Sequence, residues 1–191
     1  RQIYIRFGTY MQVRKSILIA IIVVVCLLSY FNTLFAHFVW DDNIFITPNP
    51  YMKSFRHLPK FFVQDFWEIG LKKVISEYYR PLLAASFILD NTLWQSKPLG
   101  YHLTNIIFHI LATLLVFLLV ELLIKNRLIS FASSLLFGVH PVHTEVVSFV
   151  SGRVDSITLT FFLLSLVFFL KYTSNRKVIF YILSLVCFPI A

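Results

Sequence analysis

Two adjacent carboxylates, Asp41 and Asp42, follow a long apolar run in the stretch AHFVWDDNIFI. Carboxylates at the end of such a run must be solvated, paired or used in chemistry, because ionisable groups at membrane depth are costly. Partial burial and the neighbouring like charge favour proton uptake by one of the two, which suits a general base acting on a hydroxyl group. A solvated helix end is the alternative for this pair.

Other polar residues stand at the ends of apolar runs. The triplet YRP precedes one run, HPVHTE follows another, and R-x-D opens a third. His102, Asn105 and His109 have i, i+3, i+7 spacing and share one face of a predicted helix, where interhelical hydrogen bonding is the alternative to catalysis. The tryptophans are expected to be interfacial anchors, although Trp40 beside the carboxylates could stack on a sugar ring.

Composition predicts an all-α membrane protein with several spans. Of 191 residues, 58% are hydrophobic and 14% charged, with a mean hydropathy of +0.78, whereas soluble domains carry roughly 25% charged residues. The net charge of +8 is scattered at the ends of apolar runs, which indicates topology and contact with lipid headgroups rather than nucleic acid. Both cysteines lie in apolar runs, so no disulfide framework is expected.

Hydropathy predicts about five spans, the third of which is only a dozen residues long. The basic clusters share one side under the positive-inside rule. Two polar loops then share the outer side, 36–101 (loop A) and 140–156 (loop B). In loop A, 55–67 and 81–94 are predicted to be interfacial helices, and Glu121 and Lys125 are expected to pair at i,i+4. The predicted spans are 17–35, 102–124, 128–139, 157–170 and 178–191.

Residues 38–172 closely resemble a known family. The segments FVWDDNIFITPNPYMKS, YYRPLLAASFILDNTLW and LLFGVHPVHTEVVSFVSGRVDSI are similar to the amino-terminal part of the transmembrane and tetratricopeptide-repeat-containing O-mannosyltransferases and their bacterial relatives. The resemblance implies a polytopic GT-C glycosyltransferase that moves a sugar, expected to be mannose, from a polyprenyl- or dolichyl-phosphate carrier to a hydroxyl of an acceptor protein outside the cytoplasm. The repeats and remaining spans of that family do not appear in the sequence, so we expect a piece of a longer enzyme.

The resemblance also implies roles for individual residues. The family's base position is matched by Asp41 or Asp42, and the sequence does not decide between them; we take Asp42 as the base and Asp41 as its orienter or an acceptor contact. Arg80 is the preferred phosphate ligand because guanidinium binds phosphate bidentately. Arg153 or His143 is expected to assist it by stabilising charge on the leaving oxygen. Asp155 matches the acidic position of the second outer loop and would hold Arg153 or contact the sugar. The predicted substrate-binding residues are Tyr79, Arg80, His102, His140, His143, Glu145, Arg153 and Asp155.

Several alternatives remain at this point. His140 and His143 have a spacing that could hold a metal. The sequence lacks an HExxH motif and cysteine partners, so it does not indicate a zinc site, although it is compatible with a divalent metal. A transporter or scaffold fragment is the non-enzymatic alternative, although transporters normally show inverted repeats. A relative that binds a lipid-linked sugar without transferring it is the third. The favoured residence is a bacterial inner membrane, or the endoplasmic reticulum in a eukaryote.

Overall fold

The computed structural model describes residues 14–47, 49–64 and 79–190. These ranges contain α-helices, 3-10 helices and turns but no β-strand, which confirms the predicted all-α class. The α-helices are α1 (Lys15–Tyr30), α2 (Asp42–Phe45), α3 (Pro81–Trp94), α4 (Pro98–Ile124), α5 (Arg127–Val139), α6 (Thr144–Ser148), α7 (Arg153–Asn175) and α8 (Val178–Cys187). The 3-10 helices are Phe31–Phe35, Pro50–Lys53, Phe55–Phe62, Pro141–His143, Val150–Gly152 and Phe188–Ile190.

Three helical segments are long and apolar enough to cross a membrane. They are Lys15–Phe35, Pro98–Ile124 and Val150–Asn175. A membrane helix needs about 20 apolar residues, and the segments Arg127–Val139 and Val178–Ile190 are apolar but shorter. The chain is therefore an all-α membrane protein.

Helix α4 is the centre of the bundle and packs against α1, α5 and α7. Its Ile106, Ile110 and Phe117 share a buried cluster with α1. Helices α1, α4 and α5 approach closely at Gly138 of α5, since a Cβ atom there would lie 2.7 Å from Cys26 Sγ of α1 and 3.0 Å from Thr113 Cγ2 of α4. Small residues at such a crossing let helix backbones approach in the way typical of membrane bundles.

A second buried cluster joins loop A to the bundle. Phe61 is 1% exposed and packs there. The helix predicted at 55–67 is instead a 3-10 helix, Phe55–Phe62, with Pro59 inside it, and 65–67 lie outside the described residues. Helix α3 is present as predicted, and four of its apolar residues are buried in this cluster, whereas Leu89 and Leu93 are exposed. The cluster consists of Phe45, Ile46, Met52, Phe61, Leu83, Ala84, Phe87, Ile88, Tyr101 and Val150.

Charged residues bring three helix ends together at the opposite end of the bundle. Glu121 near the end of α4 forms ion pairs with Lys15 of α1 and with Arg127 of α5, the latter at 3.4 Å. The predicted i,i+4 pair of Glu121 with Lys125 is wrong, because Lys125 ends α4 in the left-handed conformation at φ 56° and leaves the helix face. Asn126 then begins α5, since its Oδ1 accepts hydrogen bonds from the N–H groups of residues 128 and 129.

Candidate functional site

Asp42 connects loop A with loop B. Its side chain is fully buried at the start of α2. Asp42 Oδ1 accepts hydrogen bonds from the Ser151 N–H at 2.9 Å and the Ser151 hydroxyl at 2.6 Å, and Oδ2 accepts one from the Val39 N–H at 3.3 Å. Burial raises the pKa of the Asp42 carboxyl, and the bonds from Ser151 and Val39 oppose that rise. The two loops therefore meet at this carboxylate.

Asp41 has a different environment from Asp42. Its backbone carbonyl accepts the N–H groups of Ile44 and Phe45 at 3.0 and 2.9 Å, which starts α2. Its side chain makes no capping hydrogen bond and is half-buried. A proton acceptor must reach the hydroxyl that it deprotonates within about 3 Å. Of the two acids, Asp41 is the one with an accessible carboxylate.

Arg153 is fully buried and forms the centre of a polar network. Its guanidinium pairs with Asp90 at 2.6 Å. It also donates to Asn105 Oδ1 at 2.6 Å, to the Tyr101 carbonyl at 2.8 Å and to Ser86 Oγ at 3.1 Å. These contacts hold the first turns of α4 and α7 against α3.

The network changes the expectation for Asp155. The sequence predicts that Asp155 holds Arg153 or contacts the sugar, but Arg153 pairs with Asp90 while Asp155 is exposed. Asp90 also accepts a hydrogen bond from the Thr104 hydroxyl at 2.7 Å. A guanidinium with this many protein partners suits a positioning role better than direct phosphate binding.

Sequence reasoning missed Asp90 and Ser151. Asp90 had a usable signal, since it is a lone carboxylate inside the apolar run FILDNTL, and a buried acid requires a partner. Ser151 lies in the SGRVD segment that carries the family resemblance, but nothing in that segment indicates a contact with Asp42. Only the contact between the loops identifies it.

The polar stripe on α4 forms interhelical contacts. Asn105 Nδ2 donates to the carbonyls of Val147 and Phe149 at 3.1 and 2.9 Å. His109 Nε2 lies 2.9 Å from the Gly138 carbonyl. The hydrogen-bonding interpretation is therefore confirmed for these two residues. His102 is also fully buried, with its ring beside the Ala36 backbone, so a substrate role for it stays a prediction.

The loop B histidines lie at the edge of the bundle. His143 is half-buried, with its ring centroid 4.4 Å from that of Phe137 and 5.3 Å from that of His109. Burial lowers the pKa of His143, and the nearby His140 lowers it further. His140 is exposed, and its Nδ1 accepts the Val142 N–H at 3.2 Å.

Glu145 is exposed and stands apart from the buried network. Across the ranges that the structure describes, no three histidine, cysteine, aspartate or glutamate side chains come close enough to bind a metal ion. A divalent metal requires several such ligands or water around it. The described residues thus offer no preformed set of ligands for one.

A cavity of about 260 Å³ lies between loop A, α3 and α7. Tyr79 and Arg80 stand in its wall, Tyr79 being well exposed and Arg80 half-buried. Leu83 and Val154 connect this wall with the core around Phe45. The cavity combines one guanidinium with a mainly apolar lining. The other lining residues are Phe62, Pro81, Leu82, Ile157, Thr158, Pro189 and Ile190.

Sequence comparison finds relatives with a named activity. The chain is 38% identical over 159 residues to human protein O-mannosyl-transferase TMTC3, which covers 83% of this chain and 17% of the relative. Identity to Drosophila melanogaster protein O-mannosyl-transferase Tmtc1 is 38% over 149 residues, covering 78% and 17% of the two chains. For human protein O-mannosyl-transferase TMTC2 it is 36% over 148 residues, covering 77% and 18%.

These comparisons have two bounds. The chain spans less than a fifth of the length of these curated relatives. No family model and no solved structure matches it.

Proposed function

Because the chain belongs to the protein O-mannosyl-transferase family, we propose that it forms part of a multi-pass GT-C mannosyltransferase. The enzyme moves mannose from a polyprenyl- or dolichyl-phosphate carrier to a hydroxyl of an acceptor protein on the extracytoplasmic side. The observation that carries this proposal is the sequence identity of 36–38% to named O-mannosyl-transferases over most of the chain. The meeting of loops A and B at the Asp42 carboxylate supports it.

Asp41 is the proposed base, and Asp42 is the residue that positions it. This reverses the roles expected from the sequence. Asp42 is fully buried and has three hydrogen bonds from Val39 and Ser151, so it is poorly placed to touch a substrate. Asp41 lies within the turn closed by Val39 and Asp42 and is more accessible than Asp42. A base must reach its proton before its basicity matters.

Arg80 and the cavity beside it form the proposed carrier site. A guanidinium stays charged and binds phosphate oxygens with two parallel hydrogen bonds. The apolar residues around it, among them Val154 and Ile157, suit an isoprenoid chain. Tyr79 in the same wall offers a hydroxyl donor for a phosphate oxygen.

The reaction proposed for this site is a single displacement. Asp41 takes the proton of the acceptor hydroxyl while the hydroxyl oxygen forms a bond to the anomeric carbon of mannose. The bond between that carbon and the phosphate oxygen breaks, and both electrons leave with the polyprenyl phosphate. Arg80 stabilises this developing negative charge. Attack from the opposite face inverts the anomeric configuration through an oxocarbenium-like transition state, by analogy with glycoside hydrolysis.

The remaining predicted site residues have supporting roles in this proposal. Arg153 holds α3, α4 and α7 in register, and the His102 ring packs inside the same helical assembly. His140, His143 and Glu145 line loop B and are proposed to contact the acceptor, as is the exposed Asp155. The preference for a bacterial inner membrane over the endoplasmic reticulum stays a prediction.

The test compares variants of the full-length protein in membranes, supplied with polyprenyl-phosphate mannose and an acceptor protein. Asp41→Asn is expected to lower transfer by a factor of about 10² to 10⁴, the usual contribution of a general base. Arg80→Ala should also slow transfer, whereas Lys97→Ala, an exposed cation at the start of α4, is the matched control that should not. Unchanged transfer in both Asp41→Asn and Asp42→Asn would overturn the mechanism.

A further inference from the structure

Trp40 is an exposed aromatic residue directly before the proposed base. Its side chain is 79% exposed, and its backbone has φ 45°. Positive φ is uncommon for a bulky residue and marks local strain. In the part of the chain that the structure describes, the other non-glycine residues with positive φ are Gln95, Lys125 and Arg176. Each of those ends a helix, and Lys125 and Arg176 do so in the left-handed conformation that is common there, but Trp40 precedes a helix.

The turn around Trp40 is held by the buried acid. The Asp42 N–H donates to the Val39 carbonyl at 3.0 Å, and the Val39 N–H donates to Asp42 Oδ2 at 3.3 Å. The Trp40 carbonyl accepts the Asn43 N–H at 3.2 Å. The backbone on both sides of Trp40 is thus tied to α2. The strained conformation is maintained by the same residue that connects the two loops.

The indole ring of Trp40 is fixed at one side and open on the other. It meets the Phe149 ring of loop B edge to face, with 6.0 Å between ring centroids and 71° between ring planes. Phe149 is itself placed by its carbonyl, which accepts the Asn105 side chain at 2.9 Å. This contact orients the indole while most of its surface remains exposed beside Asp41.

We propose that Trp40 is the platform on which the mannose ring of the lipid-linked donor stacks. A pyranose has a face of C–H groups that packs on an aromatic ring, and an indole offers the largest such surface. The base must lie within about 3 Å of the acceptor hydroxyl, and the hydroxyl oxygen must lie within about 3.5 Å of the anomeric carbon. The sugar ring bonded to that carbon then lies within reach of the residue next to Asp41. This inference rests on the proposed function.

An interfacial anchor is the competing explanation for an exposed tryptophan near a span. An anchor contributes to membrane placement whether or not a sugar is present, and another apolar side chain replaces much of it. A stacking platform contributes only to ligands that carry the sugar and requires an aromatic ring. The two explanations therefore differ in their response to leucine and phenylalanine at position 40.

The experiment measures binding to the purified full-length protein carrying Asp41→Asn, which slows turnover, in the absence of an acceptor protein. The two probes are polyprenyl-phosphate mannose and polyprenyl phosphate without sugar. Trp40→Leu should weaken binding of the mannosyl carrier by roughly threefold to tenfold and leave binding of the sugar-free carrier unchanged. Trp40→Phe should retain most of the affinity. Phe35→Leu, a 68% exposed aromatic at the end of the first membrane segment, is the control expected to alter neither.

Three results would overturn the platform: equal weakening for both carriers, no weakening for either, or no rescue by phenylalanine. Failure of both carriers to bind the parent protein would overturn it as well. Turnover of the unsubstituted enzyme separates this inference from the proposed function. Sugar-dependent binding without any transfer would contradict the proposed transferase function but support the Trp40 platform. Transfer with an unchanged donor KM in Trp40→Leu would support the transferase function but contradict the platform.

Discussion

Ser151 donates two hydrogen bonds to a single carboxylate oxygen of Asp42, one from its N–H at 2.9 Å and one from its hydroxyl at 2.6 Å. The two residues are 109 positions apart in the chain, and both are buried. A buried carboxylate is costly unless it is hydrogen-bonded. This contact therefore lets Asp42 remain inside the protein and fixes loop A against loop B.

Ser151→Ala is expected to lower the free energy of unfolding by about 1–3 kcal/mol, because a buried acceptor loses one donor. The hydrogen bond from the Ser151 hydroxyl favours the charged carboxylate. Its contribution to the free energy of unfolding is therefore present above the pKa of Asp42 and is lost as the pH falls through that pKa. The difference in melting temperature between variant and wild type should accordingly shrink in acid. Ser133→Ala on α5 is the control and should melt like the wild type at every pH. A constant difference across pH would contradict this account.

Breaking the Arg153–Asp90 pair is expected to be severe. Removing one partner of a buried ion pair typically costs about 3–5 kcal/mol, because the other charge is left without compensation. Asp90→Asn and Arg153→Met should each lower the melting temperature of the purified protein strongly. The double variant Asp90→Leu with Arg153→Met should recover part of the loss.

The matched control for that pair is Glu121→Gln at the other end of the bundle. Its partners Lys15 and Arg127 are more exposed, and exposed pairs contribute less than about 1 kcal/mol. Comparable losses from Asp90→Asn and Glu121→Gln would show that burial does not determine the contribution of Arg153.

His143 should make stability depend on pH near neutrality. Burial lowers the pKa of His143 in the folded protein, so the unfolded chain takes up a proton first as the pH falls. The free energy of unfolding is then unaffected by His143 above the ordinary histidine pKa of about 6.5, and it declines as the pH drops below that pKa. His143→Phe should flatten the melting temperature between about pH 7 and pH 5, whereas His37→Gln, which changes an exposed histidine, should not. Identical pH profiles for His143→Phe and wild type would contradict the assignment.

Gly138→Ala should loosen the crossing of α1, α4 and α5. The added Cβ would lie 2.7 Å from Cys26 Sγ, and overpacking of this kind costs about 1–3 kcal/mol. Adding Cys26→Ala should restore part of the melting temperature. Gly152→Ala, where the new Cβ would be 3.3 Å from the nearest atom, Val146 Cα, is expected to have a smaller effect. A loss that Cys26→Ala leaves unchanged would point to a different cause.

Sidedness has a separate test by cysteine labelling. In the full-length protein with cysteines 26 and 187 replaced by alanine, Val63→Cys in loop A and Ser174→Cys at the end of α7 both introduce exposed thiols. An impermeant maleimide applied to sealed vesicles should label only one of them, because the proposal places them on opposite sides of the membrane. Equal labelling of both would require a different topology.

Local patterns along the chain were enough to predict its membrane helices, its family and one set of interhelical contacts. Apolar runs such as 102–124 predict membrane helices because their length matches the bilayer, and Pro81 begins α3 at a favoured first-turn position. The segments FVWDDNIF and HPVHTEVVSFVSGRVD were sufficient to recognise the family. The stripe of Asn105 and His109 indicated hydrogen bonding between helices because helical spacing places them on one face.

Which polar groups meet and which remain accessible depends on how the helices pack, and local patterns did not predict it. Asp41 and Asp42 are equivalent in the sequence, but the fold buries one against Ser151 and leaves the other half-exposed. Arg153 has Asp155 two residues away and yet pairs with the distant Asp90. Burial and long-range pairing depend on how separate helices pack, and no local pattern specifies that packing. The same packing set the ring of Trp40 against Phe149 of loop B.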